Sequence, residues 1–97
     1  MQGRRVYPPE PNEEFPHPLP LDTQAGDYWF QKDLGIWLCF APMKNSHKGL
    51  ALGDLSKHSV IEHEDKTITV SPSILITCGQ DGEQWHGYLE RGIWREV

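Results

Sequence analysis

Cysteine is scarce in this chain, and basic residues are outnumbered by acidic ones. Only two of the 97 residues are cysteine, Cys39 and Cys78, and neither sits in a C-x-x-C pair. A disulfide-stapled scaffold or a structural zinc knuckle needs such residues in numbers or in close pairs, so neither is expected. Lys and Arg total 9 against 14 Asp and Glu, a formal net charge of −5. A surface that tracks phosphates needs a basic stripe, so duplex nucleic acid is not an expected partner. No apolar run approaches transmembrane length and no apolar leader follows Met1, which removes a membrane partner and leaves the cytoplasm as the expected location. There, the two cysteines are expected as reduced, packed small hydrophobes, a disulfide being open only if their strands are neighbours. The chain also lacks a P-loop, a dinucleotide fingerprint and a nucleophile elbow. No segment keeps a 3.6-residue period over ten residues, so long helices are not expected either.

Proline and tryptophan are plentiful instead. Six prolines between Pro8 and Pro20 crowd the stretch "PPEPNEEFPHPLPL", which forbids helix and any central strand. Residues 1–24 therefore read as an extended, polyproline II-like arm ahead of one small domain spanning 25–97. This arm is either a flexible leader or a segment whose Val6, Tyr7, Phe15, Leu19 and Leu21 dock on the domain or on a second protomer. A homo-oligomer formed through residues 1–24 is the corresponding expectation. The four tryptophans matter because a chain this short buries only roughly 60% of its unfolded surface, so each large aromatic carries much of the core.

From Tyr28 onward the pattern is β. "YWFQ" and "IWLCFA" flank a "KDLG" turn in which Gly35 takes the left-handed position. Ile36, Leu38 and Phe40 point one way and Trp37, Cys39 and Ala41 the other, so this strand is expected to be covered on both faces. The stretch "MKNSHKGLALGDLSK" reads as a long loop that concentrates Lys44, His47 and Lys48. A second hairpin, with Asp65–Lys66 in its turn, pairs Ile61 with Val70 and His63 with Ile68. In "ITVSPSILIT", Ile68, Val70, Ile74 and Ile76 alternate inward, and Ser71–Pro72 marks a bulge, bend or edge position. A turn at Glu90–Arg91–Gly92 makes the C-terminus a third hairpin, with Trp85, Gly87 and Leu89 on one face and His86, Tyr88 and Glu90 on the other. The fold class is all-β: a small antiparallel sandwich or half-open barrel with an extended Pro-rich N-terminal arm.

Three kinds of site were weighed. A metal site draws on Cys39, Cys78 and the five histidines, but their spacing offers no close ligand pairs, so no metal and no cofactor is expected. An acid/base pair of His86 with Glu62 or Glu64, or a cysteine nucleophile beside a histidine, has no motif that fixes its geometry; no catalytic residue is assigned. A binding surface uses Trp37, Trp85, His86, Tyr88 and Trp94, with Lys44, His47 and Lys48 suited to a phosphate-bearing small ligand. Trp29, Trp37, Trp85 and Trp94 serve either as a stacking platform or as the core.

The segments "ITVSPSILI" and "WHGYLERGIW" resemble an uncharacterised family of small bacteriophage and prophage proteins. Thr69 to Ser73 match its threonine–(phenylalanine or valine)–serine–proline–serine strand. His86–Gly87, the Arg91–Gly92 turn and Trp94 match its second element, so the likeness covers Thr67 to Arg95, more weakly the Trp37 strand, and not the arm. In longer relatives a cysteine precedes the histidine, with further Cys and His upstream as in a zinc site. Trp85 stands at that position here, so no ligand set is carried across. The resemblance implies a phage origin and a β-rich fold in a host cytoplasm. The expected function is that of a non-enzymatic accessory protein binding a host protein or a small nucleotide-like ligand and antagonising host defence. The alternatives are a small hydrolase or metal-binding protein using His86, and a minor virion component.

Overall fold

The computed structural model describes residues 1–42, 52–77 and 84–97, and among them the chain forms strands and turns with no helix. One sheet holds β1 (Arg4–Arg5), β2 (Asp27–Gln31), β3 (Ile36–Phe40) and β4 (Leu52–Asp54) in that order. The other holds β5 (Ser59–Glu62), β6 (Ile68–Thr77), β7 (Gln84–Glu90) and β8 (Ile93–Glu96). Neighbours are antiparallel except β1, which runs parallel to β2. The sheets do not close into a barrel; they pack as a small sandwich. Among the described residues no helix is long and apolar enough to cross a membrane.

Local chemistry sets the hairpins. Gly35, at φ 69°, closes β2 onto β3 and donates its N–H to Gln31 O at 2.8 Å. Arg91 (φ 47°) and Gly92 (φ 77°) both lie in the left-handed region, the signature of a two-residue type I′ turn between β7 and β8. Arginine is costly there, but its N–H is held by Thr69 Oγ1 at 3.0 Å, and that of Gly92 by Ile68 O at 3.0 Å.

The β5–β6 hairpin corrects the expected register. Ile61 pairs with Thr69 and Val60 with Val70, one residue off the pairing of Ile61 with Val70. The turn is longer than two residues. His63 N donates to Thr67 O, Lys66 N donates to His63 O, and Lys66 itself takes φ 73°. This is a three-residue loop ending in a left-handed residue, and lysine at that position gives no warning in the sequence. Because side chains alternate, the slip turns Ile61 outward and Val60 toward the core. The inward set Ile68, Val70, Ile74 and Ile76 stands as expected, all buried. So does the irregularity at Pro72: the three residues between Val70 and Ile74 oppose the single Tyr88 between Leu89 and Gly87, and the Ser71–Pro72 peptide is cis.

Between the sheets, Tyr28 and Cys39 meet Ile68, Val70, Ile74, Leu89 and the Trp85–Trp94 pair. The two indoles stand edge to face, centroids 5.2 Å apart. Gly87 makes room for them, since a Cβ there would lie 2.6 Å from the Trp85 ring.

The N-terminus stitches the sandwich along one side. Trp94 and Met1 exchange hydrogen bonds, Gln2 bridges Ile93, and Arg4 and Arg5 then pair with Asp27 and Tyr28. Met1 to Val6 are thus laid into the edges of both sheets. From Tyr7 to Gln24 the chain has no regular structure. It runs along the outer face of the first sheet, where Gln31 Nε2 donates to Pro18 O at 2.9 Å and the His17 ring bonds the Asp33 carboxylate. On that face Trp29, Gln31 and Asp27 are at most 1% exposed, although none belongs to the cluster between the sheets. β3 is accordingly covered on both sides, with Leu38 buried on one and Cys39 on the other.

Candidate functional site

The second sheet has no such cover among the described residues. Outward side chains of an antiparallel sheet facing water are normally polar. Here Ile61, Leu75, Ile93 and Val97 are all between 46% and 72% exposed. The pairing arranges them in rows across the strands. Leu75 lies beside His86, whose carbonyl accepts the Val97 N–H at 2.9 Å. Tyr88 lies beside Arg95, whose guanidinium carbon sits 4.7 Å from the phenol ring centroid while Nη2 donates to Glu90 at 2.7 Å. Ile93 follows opposite Glu90, and Ile61 opposite Thr69. The result is a mixed face, on which Leu75, Val97, Ile93 and Ile61 stand exposed among Thr69, Ser73, Glu90 and Arg95, with His86 and Tyr88 between them.

His86 and Ser73 share a hydrogen bond of 2.9 Å between Nε2 and Oγ, because the bulge at Pro72 brings Ser73 over the neighbouring strand. Ser73 O also accepts from His58 Nε2 at 3.1 Å, so His58 carries its proton on Nε2 and leaves a buried Nδ1 without a partner. A serine nucleophile needs more than a histidine: the imidazole must be oriented through its other nitrogen, and donors must await the oxyanion. Among the described residues His86 Nδ1 has no partner, and the pair stands exposed on a sheet face rather than in a cleft.

The other expected site residues are dispersed. Trp85 and Trp94 are 3% and 2% exposed, and Trp29 is fully buried, so these three belong to the packing and offer no stacking platform. Trp37 is half-buried, covered by the Arg5 guanidinium at 4.7 Å on one side and in contact with Phe30 at 5.3 Å. His86 and Tyr88 alone of the aromatic set come together on the outer face, His86 exposed and Tyr88 half-buried under Arg95. Lys44, His47 and Lys48 lie outside the described residues, as does Cys78. Burial pushes the Cys39 thiol up to about 12, opposed by a backbone hydrogen bond from Gly53, so it is a packed thiol and no nucleophile. No group of three or more metal-ligating side chains occurs among the described residues.

Compared with protein-family models, curated proteins and solved structures, the chain matches none of them. Function therefore has to be argued from the site alone.

Sequence reasoning had pointed to His86 and Tyr88 but missed Ile61, Leu75, Ile93 and Val97 as surface. Ile61 was missed through the register slip. Leu75 had a visible signal, since it breaks the inward alternation of Ile74 and Ile76. One further recess, of about 230 Å³, is lined by Tyr7, Pro8, Pro11 and Phe30, with Lys32 and Glu10 paired at 3.6 Å across its rim. It is smaller than the roughly 300–1,000 Å³ of ligand pockets.

Proposed function

We propose that this chain is a non-enzymatic accessory protein that binds a protein partner through the outer face of its second sheet. The observation that carries this is the set of exposed apolar side chains, Leu75, Ile93 and Val97, that flank His86 and the half-buried Tyr88 on that face. Large apolar side chains left in water on one sheet face are groups that a protein partner would cover. Aromatic and arginine side chains at its centre are the residue types that dominate such interfaces. The burial of Trp85 and Trp94 favours a protein over a nucleotide-like ligand, because it removes the rings a base would stack on. In the phage setting that the sequence resemblance implies, the partner is a host protein and the role antagonism of host defence.

The test is affinity capture from host cells with the wild type and with Leu75→Asp and Tyr88→Ala, followed by quantitative mass spectrometry. Leu75 is exposed and Tyr88 is half-buried under Arg95 outside the inter-sheet core, so circular dichroism should hold for both and the melting temperature should move little. The partner's recovery should fall at least tenfold with either variant; equal recovery would overturn the reading. The His86–Ser73 contact favours one second reading, a small hydrolase. A fluorophosphonate probe separates the two: labelling of Ser73 that disappears in His86→Ala supports hydrolysis, and no labelling supports binding.

A further inference from the structure

β5 is an end strand of the second sheet, and among the described residues no strand pairs with its other side. β8, at the opposite end, is occupied by Met1 and Gln2. Edge strands are usually protected by proline, a bulge or an inward charge, because their free N–H and C=O groups template pairing with another chain. β5 has neither proline nor bulge and its central residues are Val60 and Ile61; its one inward-face charge, Glu62, lies at the end of the strand and is neutralised by Arg5 at 2.9 Å.

The ladder says which groups are free. His63 N donates to Thr67 O, so His63 and Thr67 form a hydrogen-bonded pair. Such pairs alternate along an antiparallel ladder, so Ile61 and Ser59 are likewise bonded inward to β6. The N–H and C=O groups of Val60 and Glu62 consequently point away from the sheet. An antiparallel mate across a twofold axis must bond to those same two residues.

We infer that β5 pairs with β5 of a second copy, Val60 against Glu62, with Ile61 facing Ile61 on the axis. Other registers allowed by the same alternation centre on Val60 or Glu62 and set Ile61 against a polar or charged residue. Centring on Ile61 instead joins two side chains that are each 57% exposed in the single chain. It also brings Lys57 of each copy toward Asp65 of the other, so the ends of the pairing carry opposite charges. Four backbone hydrogen bonds, one apolar contact and two charge pairs make the interface self-complementary, as a twofold contact requires. The two second sheets then form one sheet of eight strands. This pairing is independent of the partner reading above and differs from an oligomer built through residues 1–24.

Sedimentation velocity over a concentration series tests it. The wild type should reach twice the chain mass. Ile61→Arg, which places like charges on the axis, should raise the dimer dissociation constant at least tenfold. Val60→Pro, which deletes an outward N–H while leaving the bonds to β6 in place, should do the same. In a Cys78→Ser background, Ile61→Cys should form a disulfide-linked dimer, since facing residues of a non-hydrogen-bonded pair lie about 4.5 Å apart between Cα atoms, within the range a disulfide spans. Ser59→Cys, which faces His63, should not. A wild type that stays monomeric, a dimer that survives both Ile61→Arg and Val60→Pro, or cross-linking through Ser59→Cys in place of Ile61→Cys would each overturn the proposal.

Discussion

The two sheets of this protein are alike in strand number and differ in what lies outside them. The first is covered twice, by the second sheet on one face and by the proline-rich segment on the other, so that Trp29 loses all contact with water. Among the described residues the second is covered once, and Leu75, Ile93 and Ile61 remain in water on its outer face. Fully burying a side chain like Leu75 is worth roughly 1.5–3 kcal/mol, a gain that folding of the described residues takes at Trp29 and leaves largely untaken at Leu75.

Sharper tests of that difference follow from the packing. Trp29→Ala should cost about 3–5 kcal/mol in denaturant unfolding, because it opens a cavity under the proline-rich segment. Leu75→Ala on the bare face should stay within about 0.5 kcal/mol. A comparable loss at Leu75 would break the contrast by showing the second sheet to be covered.

Gln31→Ala comes next. Gln31 accepts the Trp29 indole N–H at 2.8 Å and donates to Pro18 O and to Asp33 Oδ1. Its loss strands a buried donor, for about 1–3 kcal/mol. Hydrogen exchange should rise along residues 8–24 and not along β7 or β8. Uniform acceleration would mean that the segment is not a separate layer.

The smallest effect is on acidification. The His17 ring hydrogen-bonded to Asp33 holds its carboxyl below the usual range, with a second bond from Gln31. A depressed carboxylate contributes stability that is present above its unfolded pKa of about 3.9 and is lost as pH falls through the lower folded value. Proteolysis within residues 8–24 should therefore quicken below about pH 4 before near-UV signals of the inter-sheet core change. Asp33→Asn should abolish that lead.

Much of the fold was legible in the sequence wherever the signal was local. The alternation from Ile68 to Ile76, the glycines at 35 and 92 and the irregularity at Pro72 each obey a short-range rule, and each appears where expected. The β5–β6 turn failed because Lys66 in a left-handed conformation looks like any other lysine in a polar loop. The site was legible only in part. His86 and Tyr88 share an outward face by simple alternation, whereas Ser73 reaches His86 only because the bulge shifts it across the strand.

The sequence by itself determined an all-β chain, its three hairpins and the inward faces of β6 and β7, since turn chemistry and two-residue periodicity act over a few residues. Only the tertiary structure decided which tryptophans became core, that Met1 to Val6 join both sheets, and that one outer face is roofed while the other is bare. Those outcomes depend on contacts between residues as far apart as Met1 and Trp94 or Pro18 and Gln31. No local propensity encodes such contacts, because they are selected by the surface they jointly remove from water.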